Sequence, residues 1–189
     1  MDWTDKLVDQ IDLHWRTQAR PRLSGLSDAE YFWEPVPDVW TLRPRAEARP
    51  FPTPEGDRMS GAGALVIDFA HPPPEPEPVT TIAWRLGHIV VGVLLARVAG
   101  HFGGRPVDYF THTYAETADS ALAQLDDAYA QWLAGIRALD AKALAAPCGP
   151  AEGPWAERSM ATLVLHINRE LIHHLAEIAL LRDLHLRTT

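Results

Sequence analysis

Apolar residues recur at helical spacing in four stretches of the 189-residue chain. In the first, Leu7, Ile11 and Trp15 follow at intervals of four, which places them on one face of a helix. Three later stretches have similar apolar faces, and each is flanked by turn or capping residues. The predicted helices are residues 3–20, ended by Pro21; 82–100; 116–139; and 160–184, capped by Ser159.

The segment from about residue 33 to 79 breaks this pattern. It holds eleven of the chain's 16 prolines, and proline removes the backbone donor that a helix interior needs. We therefore expect an irregular Pro-rich connection between the first and second long helices. Within it, residues 64–69 fit either a short strand or a buried apolar segment. Ser27 and Glu30 form a capping-box pattern, which predicts a short helix before the connection.

These elements predict an all-α protein, a four-helix bundle that forms a single domain over residues 1–189. Four long helices without a clear strand fit an antiparallel bundle. The long connection allows the first two helices to run parallel, as they do in bundles with crossover connections.

Composition and charge exclude several classes of function. The hydrophobic fraction of 47% and the charged fraction of 22% are those of an ordinary soluble globular protein. The sequence has neither an uninterrupted apolar run of about 18 residues nor a secretory signal, so we expect a cytoplasmic protein without a membrane span. The net charge of −8 and the lack of a basic stripe argue against nucleic-acid binding. The single cysteine, Cys148, cannot form an internal disulfide.

The fourth predicted helix carries a line of polar side chains that includes His166, Glu170 and His174. Residues four apart on a helix lie on the same side, so these groups can approach one point. On the second predicted helix, His88 stands in an otherwise apolar stretch, and a buried imidazole needs a partner. A divalent metal held by His88, Glu170 and His174 would be such a partner, and Zn²⁺ accepts this mixture of ligands.

The same spacing also fits a bundle without a metal. His88 would then be a hydrogen-bonded core histidine, and Glu170 and His174 would be an exposed pair on one helix. Glu177 and Arg182 look like partners in surface ion pairs. Spacing alone does not decide between the two interpretations.

Residues 84–89 (Trp-Arg-Leu-Gly-His-Ile) and 168–184 resemble the DinB-like metalloprotein superfamily. The similarity is greatest to its mycothiol-dependent branch, which includes the metal-binding domain of mycothiol-dependent maleylpyruvate isomerase. Residues 32–40 are more weakly similar to the tryptophan-containing segment that follows the first helix in this family.

The resemblance implies a four-helix bundle with a divalent metal on His88, Glu170 and His174. Glu170 stands where many relatives have histidine, and the mycothiol-dependent isomerase is similar in using a glutamate there. His166 and His173 are then neighbouring or alternative ligands.

The resemblance also implies thiol chemistry, in which the metal activates a small thiol such as mycothiol for reaction with an electrophile. We therefore expect a metal-dependent S-transferase-like enzyme that activates a thiol or a water, with zinc favoured and nickel or iron also suited. The Pro-rich connection is expected to cover the site, with Trp33, Trp40 and Arg85 lining it. The isomerase has a further C-terminal domain that does not follow Thr189 here, so isomerase activity itself is not expected.

The alternative function is a non-catalytic bundle that binds a metal or a small ligand. In either case the expected partners are small molecules, with no nucleic acid and no membrane. The sequence leaves the substrate, the metal and the oligomeric state open, a homodimer included.

Overall fold

The computed structural model describes residues 2–188, and the chain is mostly helical. The helices are α1 (Trp3–His14, continuing as Trp15–Ala19 and Arg20–Arg22), α2 (Asp28–Tyr31), α3 (Ile82–His88, continuing as Ile89–Leu95 and Ala96–His101), α4 (Ala118–Arg137), α5 (Ala141–Ala145) and α6 (Met160–Thr188). A 3₁₀ segment, Pro150–Trp155, precedes α6. The four predicted long helices are therefore present as α1, α3, α4 and α6.

Side-chain caps define where these helices begin. The predicted capping box of Ser27 and Glu30 is formed at the start of α2. Thr81 caps α3, and the Ser159 hydroxyl accepts a hydrogen bond from the Thr162 amide at 3.2 Å at the start of α6. Each cap satisfies a backbone donor that the first helical turn leaves without a partner.

The prediction that Pro21 ends α1 is wrong, since the helix continues to Arg22. Pro21 stands in the first turn of the last segment, where its missing N–H costs little. The end of α6 also lies beyond the predicted residue 184, at Thr188.

Two of the long helices contain a π-helical stretch, Trp15–Ala19 in α1 and Ile89–Leu95 in α3. The stretch in α3 begins directly after His88. Such stretches are rare and are frequently found at functional sites. An apolar run is compatible with either winding, so the sequence pattern did not predict them.

The four long helices surround one hydrophobic core. α1 packs mainly against α4 and α6, and α3 packs against the same two helices. A buried polar link joins three of them: the Trp132 indole of α4 donates to the Asn168 side chain of α6 at 3.2 Å, and Asn168 donates to the Leu7 carbonyl of α1 at 3.3 Å. Because these buried polar groups are paired, their burial costs little free energy, and the hydrogen bonds fix the relative positions of the three helices.

Among residues 2–188, α3 is the one helix long and apolar enough to cross a membrane by length and composition, with a mean hydropathy of 1.6 over Ile82–His101. It is not an uninterrupted apolar run, because Arg85 and Arg97 lie within it. Of this window, 61% is buried inside the protein, as is common for a core helix. A single helix of this length and composition is weak evidence for a membrane span.

The Pro-rich connection is not wholly irregular, which corrects the prediction for residues 33–79. It contains four strands of three residues each: β1 (Leu42–Pro44), β2 (Phe51–Thr53), β3 (Gly56–Arg58) and β4 (Leu65–Ile67). β1 pairs with β4 and β2 with β3, both antiparallel. The ambiguous segment 64–69 is thus a strand, because Leu42 and Ile67 face each other and are both buried.

The connection is also fastened to the start of α3. The Trp40 amide donates to the Val79 carbonyl at 2.9 Å, and the Thr81 amide donates to the Trp40 carbonyl at 3.0 Å. The Trp84 indole of α3 donates to the Asp68 carbonyl at 2.7 Å. These bonds hold the connection against the half of α3 that carries His88.

Candidate metal centre

His88 is the last residue of the first segment of α3, directly before the π-helical stretch. Its ring stacks on the Trp84 ring at a centroid distance of 5.2 Å and an interplanar angle of 13°. Burial lowers the pKa of His88 to about 3, and the nearby His174 adds to this effect. The imidazole is therefore neutral at pH 7, which is the form that binds metals.

Tyr109, from the loop between α3 and α4, fixes the orientation of the His88 ring. Its hydroxyl is hydrogen bonded to His88 Nδ1 at 2.8 Å. Burial raises the pKa of Tyr109 to about 12, so the phenol stays protonated. In the tautomer in which Nδ1–H donates to this hydroxyl, Nε2 presents its lone pair, as metal-ligating histidines do.

Gly92 makes room for this contact. It lies one turn after His88 on α3, and a Cβ atom there would overlap the Tyr109 hydroxyl. Neither Tyr109 nor Gly92 was predicted from the sequence as part of the site. The only signal at Gly92 was that it interrupts an apolar run.

His174 of α6 faces His88 edge to face, with ring centroids 4.8 Å apart and an interplanar angle of 87°. Its Nδ1 lies 2.8 Å from Glu177 Oε2. A carboxylate can only accept, so Nδ1 carries the proton and Nε2 has the free lone pair. Arg85 Nη1 lies 3.3 Å from the same Nδ1, but the shorter contact with the carboxylate decides the position of the proton.

Glu177 forms an ion pair, as expected from the sequence, and its partner is Arg85 of α3, with 3.1 Å between Nε and Oε2. Its hydrogen bond to His174 also makes it part of the site, which was not predicted. In the sequence, this role was indicated by the position of Glu177 three residues after His174. Arg182 does pair with Glu30, at 2.8 Å, but both side chains are mostly buried.

Burial lowers the pKa of His174 below its usual value, although the hydrogen bond and charge of Glu177 oppose this shift. Glu170 behaves differently. Burial would raise its pKa, but hydrogen bonds from Arg169 and the neighbouring positive groups outweigh burial, so the pKa is lowered. The three predicted ligands therefore comprise two neutral imidazoles and one ionised carboxylate at neutral pH, a donor set that suits Zn²⁺ and related ions.

The structure brings the predicted ligands together in two pairs. His88 and His174 are in ring contact, and Glu170 Oε2 lies 3.8 Å from His174 Nε2. Arg169 donates to Glu170 Oε1 at 3.1 and 3.3 Å, so one oxygen of this carboxylate is already held. The chemistry of these residues fits a His₂Glu metal site. Each of the three side chains is held in place by a second residue: His88 by Tyr109, His174 by Glu177 and Glu170 by Arg169.

A second group of ligands lies on α6 itself. Within the described residues 2–188, only His173, His174 and Glu177 bring three metal-ligand atoms within 4.8 Å of one another. The His173 side chain is 63% exposed and lies 3.6 Å from Glu177. His166 is farther from His174 and contacts Arg169 at 2.6 Å.

A small pocket reaches His88 from the side of the Pro-rich connection. Its volume is about 170 Å³ and its walls are largely aromatic, formed by Trp40, Phe69, Trp84 and Tyr109. Trp40 thus lies where the sequence predicted it. Trp33 does not line this pocket but packs edge-on against His185 at 5.3 Å.

The model of the DinB superfamily matches residues 10–178 of the chain. The match spans most of the sequence, and the chain belongs to the DinB superfamily. No curated protein and no solved structure matches it. Superfamily membership and the His/Glu groups on α6 together indicate a site for a divalent metal.

Proposed function

We propose that this chain is a divalent-metal-dependent small-molecule enzyme, S-transferase-like, built on a DinB-type four-helix bundle. His88, Glu170 and His174 would hold the ion. The observation that carries the proposal is the contact between the His88 and His174 rings, each with its Nδ1 engaged by a hydrogen-bond partner. That arrangement leaves both Nε2 atoms available as ligands.

A bound divalent cation supplies one thing here: it lowers the pKa of a coordinated thiol or water so that a nucleophile exists at neutral pH. The protein groups hold the ligands for it. Tyr109 and Glu177 orient the two imidazoles, and Arg169 orients Glu170. Zinc is the ion favoured by this ligand set, with nickel or iron also suited.

The proposed reaction joins a small thiol to an electrophile. The aromatic pocket beside His88 would take the electrophile, because its walls offer apolar surface and exclude water. Mycothiol is the thiol favoured by the similarity of residues 84–89 and 168–184 to the mycothiol-dependent branch.

One observation favours the alternative, a bundle that binds metal without catalysis. The pocket at His88, about 170 Å³, is smaller than the roughly 300–1,000 Å³ typical of small-molecule sites. A thiol the size of a sugar conjugate does not fit within it. In the enzyme, the thiol would have to approach from the Glu170 side of the site.

Turnover separates the two functions. Metal-loaded protein is mixed with mycothiol and a generic electrophile such as a chlorinated nitrobenzene, and thiol consumption is followed. The proposal predicts that the wild type consumes thiol faster than His174→Ala protein treated in the same way. Equal rates, with metal still bound to the wild type, would favour the non-catalytic binder.

A further inference from the structure

A second, larger cavity lies beside the Glu170 end of the metal centre. Its volume is about 670 Å³, within the range of small-molecule sites. Three arginines line it, Arg97 of α3, Arg158 of the loop before α6, and Arg169 of α6. We call it the arginine cavity. Three cations at one cavity contrast with the net charge of −8 of the whole chain.

Two of these arginines are already engaged. Arg97 donates to the Gly92 carbonyl at 2.6 Å and pairs with Glu152 at 3.4 Å. Arg169 pairs with Glu170 at 3.1 Å. Each of these two positive charges therefore has a carboxylate beside it.

Arg158 is different. Within residues 2–188 no carboxylate lies within ion-pair distance of it, and its guanidinium rests 5.8 Å from the centre of the Trp155 ring. The Nε atom of Arg97, on the same cavity, is buried without a hydrogen-bond partner. Arg97 Nε is not accessible from the cavity, so what the cavity retains for a ligand is one positive charge without a carboxylate partner, that of Arg158.

The apolar part of the wall is formed by Trp155, Leu163 and Leu165, and the Trp155 side chain is 63% exposed although it is large and hydrophobic. Glu152 also lines the cavity, but its carboxylate is engaged by Arg97 at 3.4 Å and by His101 at 2.8 Å. The other polar lining residues are Cys148, Thr162 and His166. Exposed aromatic surface next to an unpaired arginine is a combination that binds molecules with an apolar body and an anionic end.

The cavity adjoins the metal centre through His166 and Arg169. Both residues line it, and both contact Glu170, with His166 Nδ1 3.5 Å from Glu170 Oε1. A ligand in the arginine cavity would therefore lie next to the proposed metal ligand.

We infer that the arginine cavity is a binding site for a small organic carboxylate, recognised by Arg158 and packed against Trp155. A planar carboxylate matches the fork of the guanidinium, and the apolar walls take the rest of the molecule. The inference does not need the metal, since none of the three arginines is among the proposed ligands.

Calorimetric titration with benzoate, acetate and inorganic phosphate tests the assignment. Wild-type protein should bind benzoate more tightly than acetate, because only benzoate covers the apolar wall, and more tightly than phosphate. Arg158→Gln should weaken benzoate binding by about three- to tenfold, the range for a partly exposed charged contact. Arg16→Gln is the matched control, because Arg16 is an exposed arginine paired with Asp12 on α1, and it should leave binding unchanged.

A fluorescence titration provides a second measurement. The chain has seven tryptophans, so the signal of Trp155 is the difference between wild type and Trp155→Phe. Benzoate should produce a saturable change in the wild type that Trp155→Phe lacks.

The inference is overturned if benzoate does not bind at millimolar concentration, if phosphate binds more tightly than benzoate, or if Arg16→Gln weakens binding as much as Arg158→Gln does. His88→Ala separates this inference from the proposed function. Benzoate binding retained while metal is lost supports a cavity that stands independently of the metal. A wild type that binds benzoate but carries no metal would defeat the proposed function and leave the inference standing.

Discussion

The two halves of α3 each carry a histidine, and the surroundings of these two histidines differ. At the C-terminal end, His101 Nε2 lies 2.8 Å from Glu152 Oε1, and the two side chains are only 3% and 9% exposed. In the N-terminal half, His88 has no carboxylate partner among residues 2–188: it contacts the Tyr109 hydroxyl and the ring of His174. His101 is thus held by a buried carboxylate, and His88 is held as a neutral ring with one nitrogen free to bind a ligand.

This difference shows what distinguishes a structural histidine from a candidate ligand on the same helix. His101 and Glu152 are closed off from solvent together, whereas His88 faces a second imidazole and lines a pocket, so only His88 has a neighbouring histidine with which to share an ion. We therefore expect changes at the His101 end to cost stability and spare the metal. Changes at the His88 end should cost metal affinity and less stability.

The largest loss of stability is expected for Glu152→Ala. Removing one partner of a buried pair leaves His101 and Arg97 without their carboxylate, which costs about 3 kcal/mol or more. Chemical unfolding should show this loss, and the metal content of the folded protein should not change. Glu157→Ala, on the exposed part of the same loop, is the control and should stay within about 0.5 kcal/mol of the wild type.

Gly92→Ala should disturb the His88 end by overpacking. The new Cβ overlaps the Tyr109 hydroxyl, so either the tyrosine or the helix has to move, at a cost of about 2–3 kcal/mol. Metal affinity should fall as well, because the His88 ring loses its support. Gly100→Ala lies on the same helix, where a Cβ would meet only Ala151 at 3.2 Å. A loss there equal to that of Gly92→Ala would contradict the account.

Acid should weaken the metal-free protein through His88. Its folded pKa of about 3 lies below the ordinary 6.5, so the unfolded chain takes up the proton first. Stability is then full above pH 6.5 and is lost as pH falls toward 3, at about 1.4 kcal/mol per pH unit. Between pH 6.5 and 5, the free energy of unfolding should fall about 2 kcal/mol more in wild type than in His88→Gln, measured with a chelator present. If the free energy of unfolding has the same pH dependence in wild type and His88→Gln, His88 is not buried as a neutral ring.

Tyr109→Phe is the mildest change in stability. It removes one hydrogen bond to a neutral group, worth about 1 kcal/mol, but should lower metal affinity by about 10- to 100-fold because the His88 ring loses its anchor. Competition with a chromogenic chelator measures the affinity. Tyr31→Phe removes a comparable bond, to the Ala115 carbonyl, and should not change the affinity. An equal affinity for both variants would exclude Tyr109 from the centre.

The helices were predictable because their signals are local. The apolar spacing of α1 and the caps at Ser27, Thr81 and Ser159 lie within a few residues of the elements that they define. The pairing of Leu42 with Ile67 depends on residues 25 positions apart, and three-residue strands leave little pattern in a sequence. The π-helical stretch after His88 is set by packing, which spacing does not encode.

The candidate site was predictable in part for the same reason. Glu170 and His174 share a helix face, and His88 stood out as a histidine in an otherwise apolar helix, a choice that the resemblance to the DinB-like superfamily supported. Tyr109 comes from a loop, and nothing in its neighbours marks it as a contact of His88. Glu177 was assigned to a surface ion pair because its closeness to Arg85 arises only when α3 and α6 pack together.

The metal content of purified protein tests the central claim most directly. Protein prepared without chelator is analysed by elemental mass spectrometry as wild type, His88→Ala, Glu170→Ala and His173→Ala. The account predicts one ion per chain in the wild type and in His173→Ala, and loss of the ion in His88→Ala and Glu170→Ala. A wild type without stoichiometric metal would contradict it, as would metal retained in His88→Ala and lost in His173→Ala, which would place the ion on His173, His174 and Glu177 instead.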